Sequence, residues 1–567
     1  MKTNKPNLKV QGIARLFILA CFIAQALSCS KDKTTPEQAV PALEFTAENG
    51  EYKVKMGKEV ALEAKVTDAT DPVYSWKLNG KIISTGLTCN FTGDKLGEYF
   101  VTFRVDAKNG SVEKQVKVTV LSKLPPEITM TSSIIAYSGL NTKMVANVLY
   151  AEEASYTWRL NGVVISNENS CNLNLTSLGA QQLTLKVVNA DGEDLKVFSV
   201  VVLPAPSAEL FFDDGRFRLS GDQSTKRMSI PLGKTLVLAP VISNISGTPT
   251  FEWTVDGAVQ SSTTEFLNFK PTALGNYLIT VTAKGTSAVA KVTVACVPAE
   301  GTYFRAAVAG SKAMVTNVFE FIPAPGQFTN FQEGSTMEQA RVSVQNAVNT
   351  GTTAYVAGLG AFGGYFISGF DHSVSDVAGK ADISISGNAF ETWSEPGIVW
   401  VMQDENGNGL PDDTWYELKG SETGKAETKQ RYAITYYKPS TGNTDVLWSD
   451  NMGKTGSVDY NTYHTQKFYF PMFITGNSLT LTGTCLKTTF LVGGVDVNPG
   501  FPWGYVDNFG DGSKLNFWIE DAIKADGTPA NLKYIDFVKV HTGQLGKGVA
   551  IGEVSTEAGA AIDLNLK

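Results

Sequence analysis

The sequence predicts an all-β protein: three tandem β-sandwiches, then a larger β-sandwich or jelly-roll-like domain with one or two short helices. Three observations carry this. The 567 residues hold 53 Gly and 22 Pro, while amphipathic helical stretches are scarce. A tryptophan-centred pattern occurs three times, which is the signature of a repeat architecture. Beyond residue 300 the apolar residues come in short alternating runs, the period of half-buried strands. At about 150 residues per domain the length itself calls for roughly four units.

Residues 1–28 read as a signal peptide. Lys2, Lys5, Lys9 and Arg15 precede the apolar run LFILACFIAQAL, which is too short to span a bilayer and suits a signal core. The run ends Ala26-Leu27-Ser28-Cys29. This resembles a bacterial lipobox, which implies lipidation at Cys29 and a chain held at the membrane by lipid; ordinary secretory cleavage beside an incidental cysteine is the competing reading. Residues 29–41, polar and Pro-bearing, form a tether.

The repeats occupy 42–122, 123–204 and 205–299. Their shared segments are Tyr74-Ser-Trp76-Lys-Leu-Asn-Gly80, Tyr156-Thr-Trp158-Arg-Leu-Asn-Gly162 and Phe251-Glu-Trp253-Thr-Val-Asp-Gly257. Asn-Gly and Asp-Gly tolerate positive φ and suit hairpin turns. Leu96-Gly97, Leu178-Gly179 and Leu274-Gly275 follow, each before an alternating strand. The tryptophan spacing suits an immunoglobulin-like sandwich with Trp in the core, and the pattern resembles the PKD-like and immunoglobulin-like modules of bacterial surface proteins. A spacer role is expected of them, with adhesion as the alternative. Cys89 and Cys171 lie 13 residues after their tryptophans, where the third repeat has Phe266. A slot that accepts Cys or Phe is apolar, so core thiols are expected there. No metal-ligand spacing appears at Cys89, Cys171, Cys296 or Cys485.

Residues 300–567 hold His372, His464 and His541 and six of the nine tryptophans, which places the function there. A helix is expected over 335–349, opened by a capping box of Ser335 and Glu338, and a short second one over 519–525. Strands are expected at 353–357, 365–370, 398–403, 433–437, 479–482 and 534–540. Gly358-Leu-Gly360-Ala-Phe-Gly363 matches a dinucleotide fingerprint but precedes a strand-like run, not the helix that a pyrophosphate needs.

Asp404-Glu-Asn406-Gly-Asn408-Gly-Leu-Pro-Asp412-Asp413 alternates oxygen side chains as a calcium loop does. A structural Ca²⁺ held by Asp404, Asn406, Asn408 and Asp412 is the expectation, although position 12 is Trp415; a polar turn without metal is the competing reading. Aromatics set among Gly and Pro suggest platforms for a flat ligand. The candidates are Trp393, Trp400, Trp415, Trp503 and Tyr505, with Glu395, Asp507 and Asn508 as polar partners, against the plain alternative of core aromatics. His372 is a candidate axial ligand or a structural histidine.

Net charge is −8, with no basic run after residue 15, so no nucleic-acid partner is expected. HExxH, GxSxG and Walker A motifs do not occur. Glu391 and Glu395 could be imagined as a glycosidase pair, but an enzyme is the lesser reading.

Phe321-Ile-Pro-Ala-Pro-Gly326-Gln-Phe328, Gly369-Phe-Asp371-His372, the block 387–418, Tyr534 to Val540 and Gly552-Glu553-Val-Ser-Thr-Glu557 resemble a family of Bacteroidetes surface proteins. The region is similar to the surface lipoproteins that bind cobalamin beside outer-membrane B12 transporters. The resemblance implies a non-enzymatic, surface-exposed outer-membrane lipoprotein. Such a protein binds a corrinoid as ligand and hands it to a TonB-dependent transporter. The alternative is a glycan-binding protein or adhesin, with or without hydrolase activity, on the same repeats.

Overall fold

The structure, a computed structural model, describes residues 41–45, 51–67, 69–219, 221–222, 224–329, 336–351, 355–389, 393–461, 466–489, 497–508, 515–548 and 552–566. The signal peptide, Cys29, the tether up to residue 40, Ser335, Glu391 and His464 lie outside them.

The chain is all-β apart from one α-helix and short turns among the described residues. Each repeat is built on a five-stranded sheet of one design. In the first, Glu51–Lys55 pairs parallel to Gly110–Leu121, followed by Gly97–Ala107, Val73–Leu78 and Lys81–Ser84. A three-stranded sheet, Ala42–Phe45, Glu59–Thr67 and Thr88–Thr92, belongs to the same repeat. The second and third repeats place Ser133–Tyr137 and Lys226–Pro231 in the parallel position.

The tryptophans explain the repetition. Trp76, Trp158 and Trp253 are fully buried, and a buried indole needs an acceptor. Each finds one in the same place: the carbonyls of Gly86 at 2.9 Å, Glu168 at 3.2 Å and Thr264 at 2.9 Å. The turns after them take positive φ at both residues, Asn79-Gly80, Asn161-Gly162 and Asp256-Gly257. Such a turn fits the twist of two flanking strands. Cys89 and Cys171 are buried free thiols, as are Cys296 and Cys485. In the third repeat Leu267, not Phe266, takes the core slot, pairing with Leu238 as Cys89 pairs with Leu62.

Beyond residue 300, a six-stranded sheet runs Asn317–Ile322, Tyr365–Ser375, Tyr534–Thr542, Gly397–Met402, Trp415–Leu418 and Ala522–Ile523. Helix Met337–Asn349 packs beside its first strand. The helix is capped by Thr336, whose Oγ1 accepts from Gln339 N at 3.1 Å; the cap lies one residue after the expected serine. In place of the expected second helix there is a 3₁₀ turn, Ile519–Asp521, running directly into the edge strand Ala522–Ile523.

One face of this sheet is aliphatic. Val399, Val401, Val538, Val540, Tyr416 and Leu418 join a core with Ala340, Val344 and Val348 of the helix. The other face meets a five-stranded sheet of Ser478–Cys485, Lys429–Tyr437, Val446–Asp450 and Thr455–Val458, with Arg218–Leu219 at its edge. That edge strand comes from the third repeat.

The boundary at 299/300 therefore separates two sequence patterns but not two packing units. Arg218 and Leu219 pair with Thr480 and Leu479. Ser229 N donates to Thr414 Oγ1 at 3.1 Å, and Thr414 Oγ1 donates to Ser229 O at 2.6 Å. The Ser229 hydroxyl donates to buried Glu405. Arg431 pairs with Glu265 at 2.6 Å, and Lys234 with Glu300 at 2.8 Å. Strand Ser133–Tyr137 of the second repeat also lies against Val446–Asp450 and Thr455–Val458. A simple spacer would make none of these contacts.

This coupling predicts that a fragment spanning 205–567 melts in one cooperative transition, followed by circular dichroism. A 300–567 fragment should melt at a lower temperature, because it leaves Glu405 and Thr414 without Ser229 and removes an edge strand. Equal melting temperatures would show the third repeat to be independent.

Candidate functional site

Side chains alternate across a strand, so residues paired across neighbouring strands share a face. Trp400 pairs with both Glu417 and Lys539, which sets carboxyl, indole and ammonium in one row. The row lies on the face opposite the valines, and it interrupts what would otherwise be an apolar surface. A polar group on a buried sheet face is costly unless it is partnered. The partners of this row, and the lack of them, define the site.

Lys539 is 3% exposed. Its Nζ donates to Gly215 O of the third repeat at 2.6 Å and lies 4.5 Å from the Tyr365 ring centre. Burial pulls its pKa down, against the pull of Asp213, Glu320 and Asp214. Glu417 accepts from the Thr484 hydroxyl at 2.5 Å, and burial pushes its carboxyl up to about 7. The indole nitrogens of Trp400 and Trp415 are buried and have no hydrogen-bond partner.

These residues floor a cleft, open to solvent, whose interior volume is about 130 Å³. Its opposite wall is the third repeat, through Asp213–Gly215, Met228 and Leu236–Ala239. Gly215 adopts φ +80°, and a Cβ there would clash with Trp415 Cδ1. Glycine is what lets this loop close onto the indole. The cleft is therefore built jointly by the repeat and the C-terminal sheets.

The other aromatic candidates do not join this surface. Trp503 lines a separate narrow crevice of about 10 Å³ with Trp518 and Asp521. Tyr505 is 2% exposed, packed with Ile398, Leu486 and Phe501, and its hydroxyl accepts from Glu422 N at 3.0 Å. Burial makes it a core ring, not an open platform. Trp393 is 7% exposed and bridges to Asn498. Asn508 spends both ends of its amide on Phe501, N–H and carbonyl, each at 2.6 Å, which closes its own loop. His372 is clamped: Nδ1 lies 2.7 Å from Asp371 and Nε2 2.9 Å from Asp563. Burial lowers its pKa, but the two carboxylates outweigh burial and raise it. With both nitrogens engaged, His372 offers no lone pair to cobalt; it is a structural histidine.

Glu395 and Asp507 meet elsewhere, with Glu557. One oxygen from each lies within 4.8 Å of the others, and all three residues are buried. Asp507 accepts from the backbone N–H groups of Asn388, Ala389 and Glu557 at 2.7, 2.7 and 2.8 Å. Ser555 N donates to Glu395 at 2.8 Å. The Asn388 amide, turned with nitrogen inward, donates to Glu557 and Asp507 at 3.3 and 3.1 Å. Burial, with mutual repulsion, raises Glu395 well above the usual range and Glu557 to about 8; burial lifts Asp507 to about 7. Three buried carboxyls need protons or a cation, and this oxygen set could hold a hard cation. Glu557 was accessible to sequence reasoning only through the alternation Glu553-Val-Ser555-Thr-Glu557.

In the Asp404–Asp413 loop, Asp404 accepts from the N–H groups of Gly407, Asn408 and Gly409 at 2.8, 3.1 and 2.9 Å. The Asn406 and Asn408 amides donate to Asp412, and Asn406 also to Asp413. The loop thus closes on its own amides. Asp413 and Thr414, at its end, line the cleft.

A family model for a PKD-like domain matches residues 40–107, so the first repeat is PKD-like. No curated protein matches the chain. Among solved structures, the chain is similar to the fibronectin(III)-like modules of Clostridium thermocellum CbhA (16% identity, 29% of this chain and 95% of that one, TM-score 0.16). It is similar also to immunoglobulin domains 1–4 of Sidekick-1 (15%, 46% and 75%, TM-score 0.16). A third likeness is to extracellular domains 3–5 of Drosophila OTK (11%, 46% and 98%, TM-score 0.18).

The raised acids set a pH dependence. Glu405 and Glu557 rise from 4.5 to about 8, and Asp413 and Asp507 from 3.8 to about 7. Such groups bind protons more tightly in the folded chain, so stability falls as pH rises from about 4.5 to about 8. Melting temperatures measured without divalent cations should decline across that window, and less steeply for Glu395→Gln. A flat or rising profile would contradict the burial of neutral acids.

Proposed function

We propose that this chain is a non-enzymatic, lipid-anchored outer-membrane surface protein. It captures a scarce nutrient in the cleft between the third repeat and the C-terminal sheets and passes it to a TonB-dependent transporter. The observation that carries a binding role is the cleft itself: concave, mostly apolar, and lined by Trp400 and Trp415 with a few polar side chains. A mostly apolar cavity with a few directed polar groups is the usual form of a small-molecule site.

A corrinoid is the ligand we favour, on the resemblance of residues 300–567 to cobalamin-binding surface lipoproteins. A corrin is flat and edged with amides, so it offers a face to Trp400 and Trp415 and amides to the polar side chains of the lining. Only part of so large a ligand would enter the cleft, the rest remaining at its mouth. The loop of Asp404, Asn406, Asn408 and Asp412 then has a structural role, with Ca²⁺ stiffening the segment that carries Asp413 and Thr414 into the cleft wall.

Titrating the full chain with micromolar cobalamin should change the visible spectrum of the corrin, and Trp400→Ala should weaken binding by about 30-fold, the effect of losing about 2 kcal/mol. No spectral change would remove the corrinoid reading, and binding to a glycan panel would put the glycan alternative in its place. Cys29→Ser should move the protein from the membrane fraction to the soluble fraction; retention with fatty-acid labelling would refute the anchor. Calcium should raise the melting temperature by stabilising the folded form, and Asp404→Ala should shrink that rise, any remainder belonging to the Glu395, Asp507 and Glu557 cluster. A melting curve indifferent to calcium would return the loop to a plain turn.

A further inference from the structure

Side chains of the five-stranded sheet alternate between a core face and an outer face. Leu479, Leu481, Ile434 and Tyr436 fill the core. The outer face carries hydroxyls instead. Thr480 pairs with Thr435, and Thr435 with Ser449, so three hydroxyls stand in one cross-strand row. Arg218 of the third repeat pairs with Thr480 and heads the row. Threonine on a strand face open to water is ordinary. This face is partly covered, by the end of the second repeat and the start of the third, and a cavity of about 210 Å³ lies at the junction. One water needs only about 10–15 Å³ of such space. The cavity's apolar surface comes mainly from the repeats, through Leu203, Pro204, Pro206 and Phe211.

The hydroxyls keep hydrogen-bonding capacity to spare. Thr435 Oγ1 and Thr480 Oγ1 lie 2.8 Å apart, and the Tyr437 hydroxyl lies 2.7 Å from Ser449 Oγ. The Tyr137 hydroxyl of the second repeat reaches Tyr437 as well. A chain of hydroxyls spends one hydrogen on each link, so each of these two chains keeps one hydrogen and several lone pairs. Thr435, Thr480, Tyr437 and Tyr137 are only half-buried and line the cavity. The charged side chains are matched already. Arg218 donates to Glu209 and to Asp222 O and lies over the Phe211 ring. Asp450 accepts from Met452 N and Lys454 N at one oxygen and from the Tyr432 hydroxyl at the other. An ion of either sign would enter without a counter-ion of its own, which is costly.

We propose that this junction is a second binding site, and that its ligand class is a neutral sugar. One pyranose ring sits between the hydroxyl row and the apolar surface of the repeats. A pyranose has the same two characters: C–H groups on its ring faces, and hydroxyls that both donate and accept at its rim. Those hydroxyls can take up the spare hydrogens and lone pairs, which a hydrocarbon ring cannot do. The junction shares no lining residue with the Trp400 cleft. The inference therefore rests neither on that cleft nor on a corrinoid.

The test uses the full chain, with the methyl α-glycosides of glucose, galactose and mannose as probes. Threonine methyl resonances report the site, assigned by Thr435→Val and Thr480→Val, which keep the shape and remove the hydroxyl. At least one glycoside should bind with about millimolar affinity and move both resonances. Combining Thr435→Val with Thr480→Val should weaken it by about 10-fold or more, and Tyr437→Phe by about 3- to 10-fold, at hydrogen-bond worth. Melting temperatures should stay close to that of the parent. Tetrahydropyran-methanol, the ring without its ring hydroxyls, and glucuronate, the ring with a carboxylate, should each bind more weakly.

If none of the three glycosides binds, or if binding is indifferent to the double variant, the inference is wrong and the cavity holds only water. A glycoside that weakens with Trp400→Ala but not with the double variant sits in the other cleft, which also overturns it. Glycoside binding lost in the double variant while cobalamin binding persists shows two separate sites. Glycoside binding without cobalamin binding keeps this site and discards the corrinoid.

Discussion

An ammonium group sits where a sheet would ordinarily carry an aliphatic side chain. Lys539 lies on a central strand of the six-stranded sheet, 3% exposed, and its hydrogen bond runs to Gly215 O of the third repeat. A buried cation without partners would lose far more in desolvation than its stem could gain by packing. The C-terminal sheets therefore require the loop Asp213–Gly215, which brings both a carbonyl and nearby carboxylates. From that requirement follow the docking of the third repeat, its edge strand Arg218–Leu219 on the second sheet, and the existence of a cleft beside the contact. The cleft is the space left where a loop closes on a sheet face that carries polar groups.

The same contact accounts for the acids around it. Glu405 and Asp413 are buried under the third repeat, with the Ser229 hydroxyl on Glu405. Burial raises both, so protonated acids and hydroxyls hold the interface together with the ion pairs Arg431–Glu265 and Lys234–Glu300. Surface pairs such as Lys53–Glu127 between the first two repeats are of a weaker kind. The coupling along the chain is thus uneven. The first repeat meets its neighbour through exposed charges, whereas the third is welded to the C-terminal sheets by buried groups.

Local periodicity made much of this legible. The Trp-x₃-Gly pattern located three sandwiches, because a buried indole, an Asn-Gly turn and an alternating strand are each set by neighbours in sequence. The helix after residue 335 is legible for the same reason, and the expected cap is off by one residue because two hydroxyl residues, Ser335 and Thr336, are adjacent and the cap is Thr336. The docking was not legible. Nothing in the stretch 213–219 distinguishes it from a loop, since its C-terminal partners lie some 100 to 320 residues away in the sequence. Of the site candidates, Trp400 and Trp415 come together because they occupy paired strands with Trp on the face away from the helix. Tyr505 and Asn508 stand in the same Gly- and Pro-rich company, yet the Asn508 amide closes its own loop and the Tyr505 hydroxyl accepts from Glu422 N of another segment. Glu395 and Asp507 were named as partners of a ligand, and they meet each other and Glu557 instead, in a carboxylate cluster that no local pattern announced.

Hydrogen exchange read residue by residue on the full chain tests the central claim, that the third repeat and the C-terminal sheets are one energetic unit. Strand Lys226–Pro231 and strand Trp415–Leu418 should share a common opening free energy, which rises together when the chain is stabilised, while the first repeat opens separately and more readily. If Lys226–Pro231 instead exchanges with the first repeat, at a lower free energy than Trp415–Leu418, the shared unit does not exist and the cleft is only a contact between independent domains.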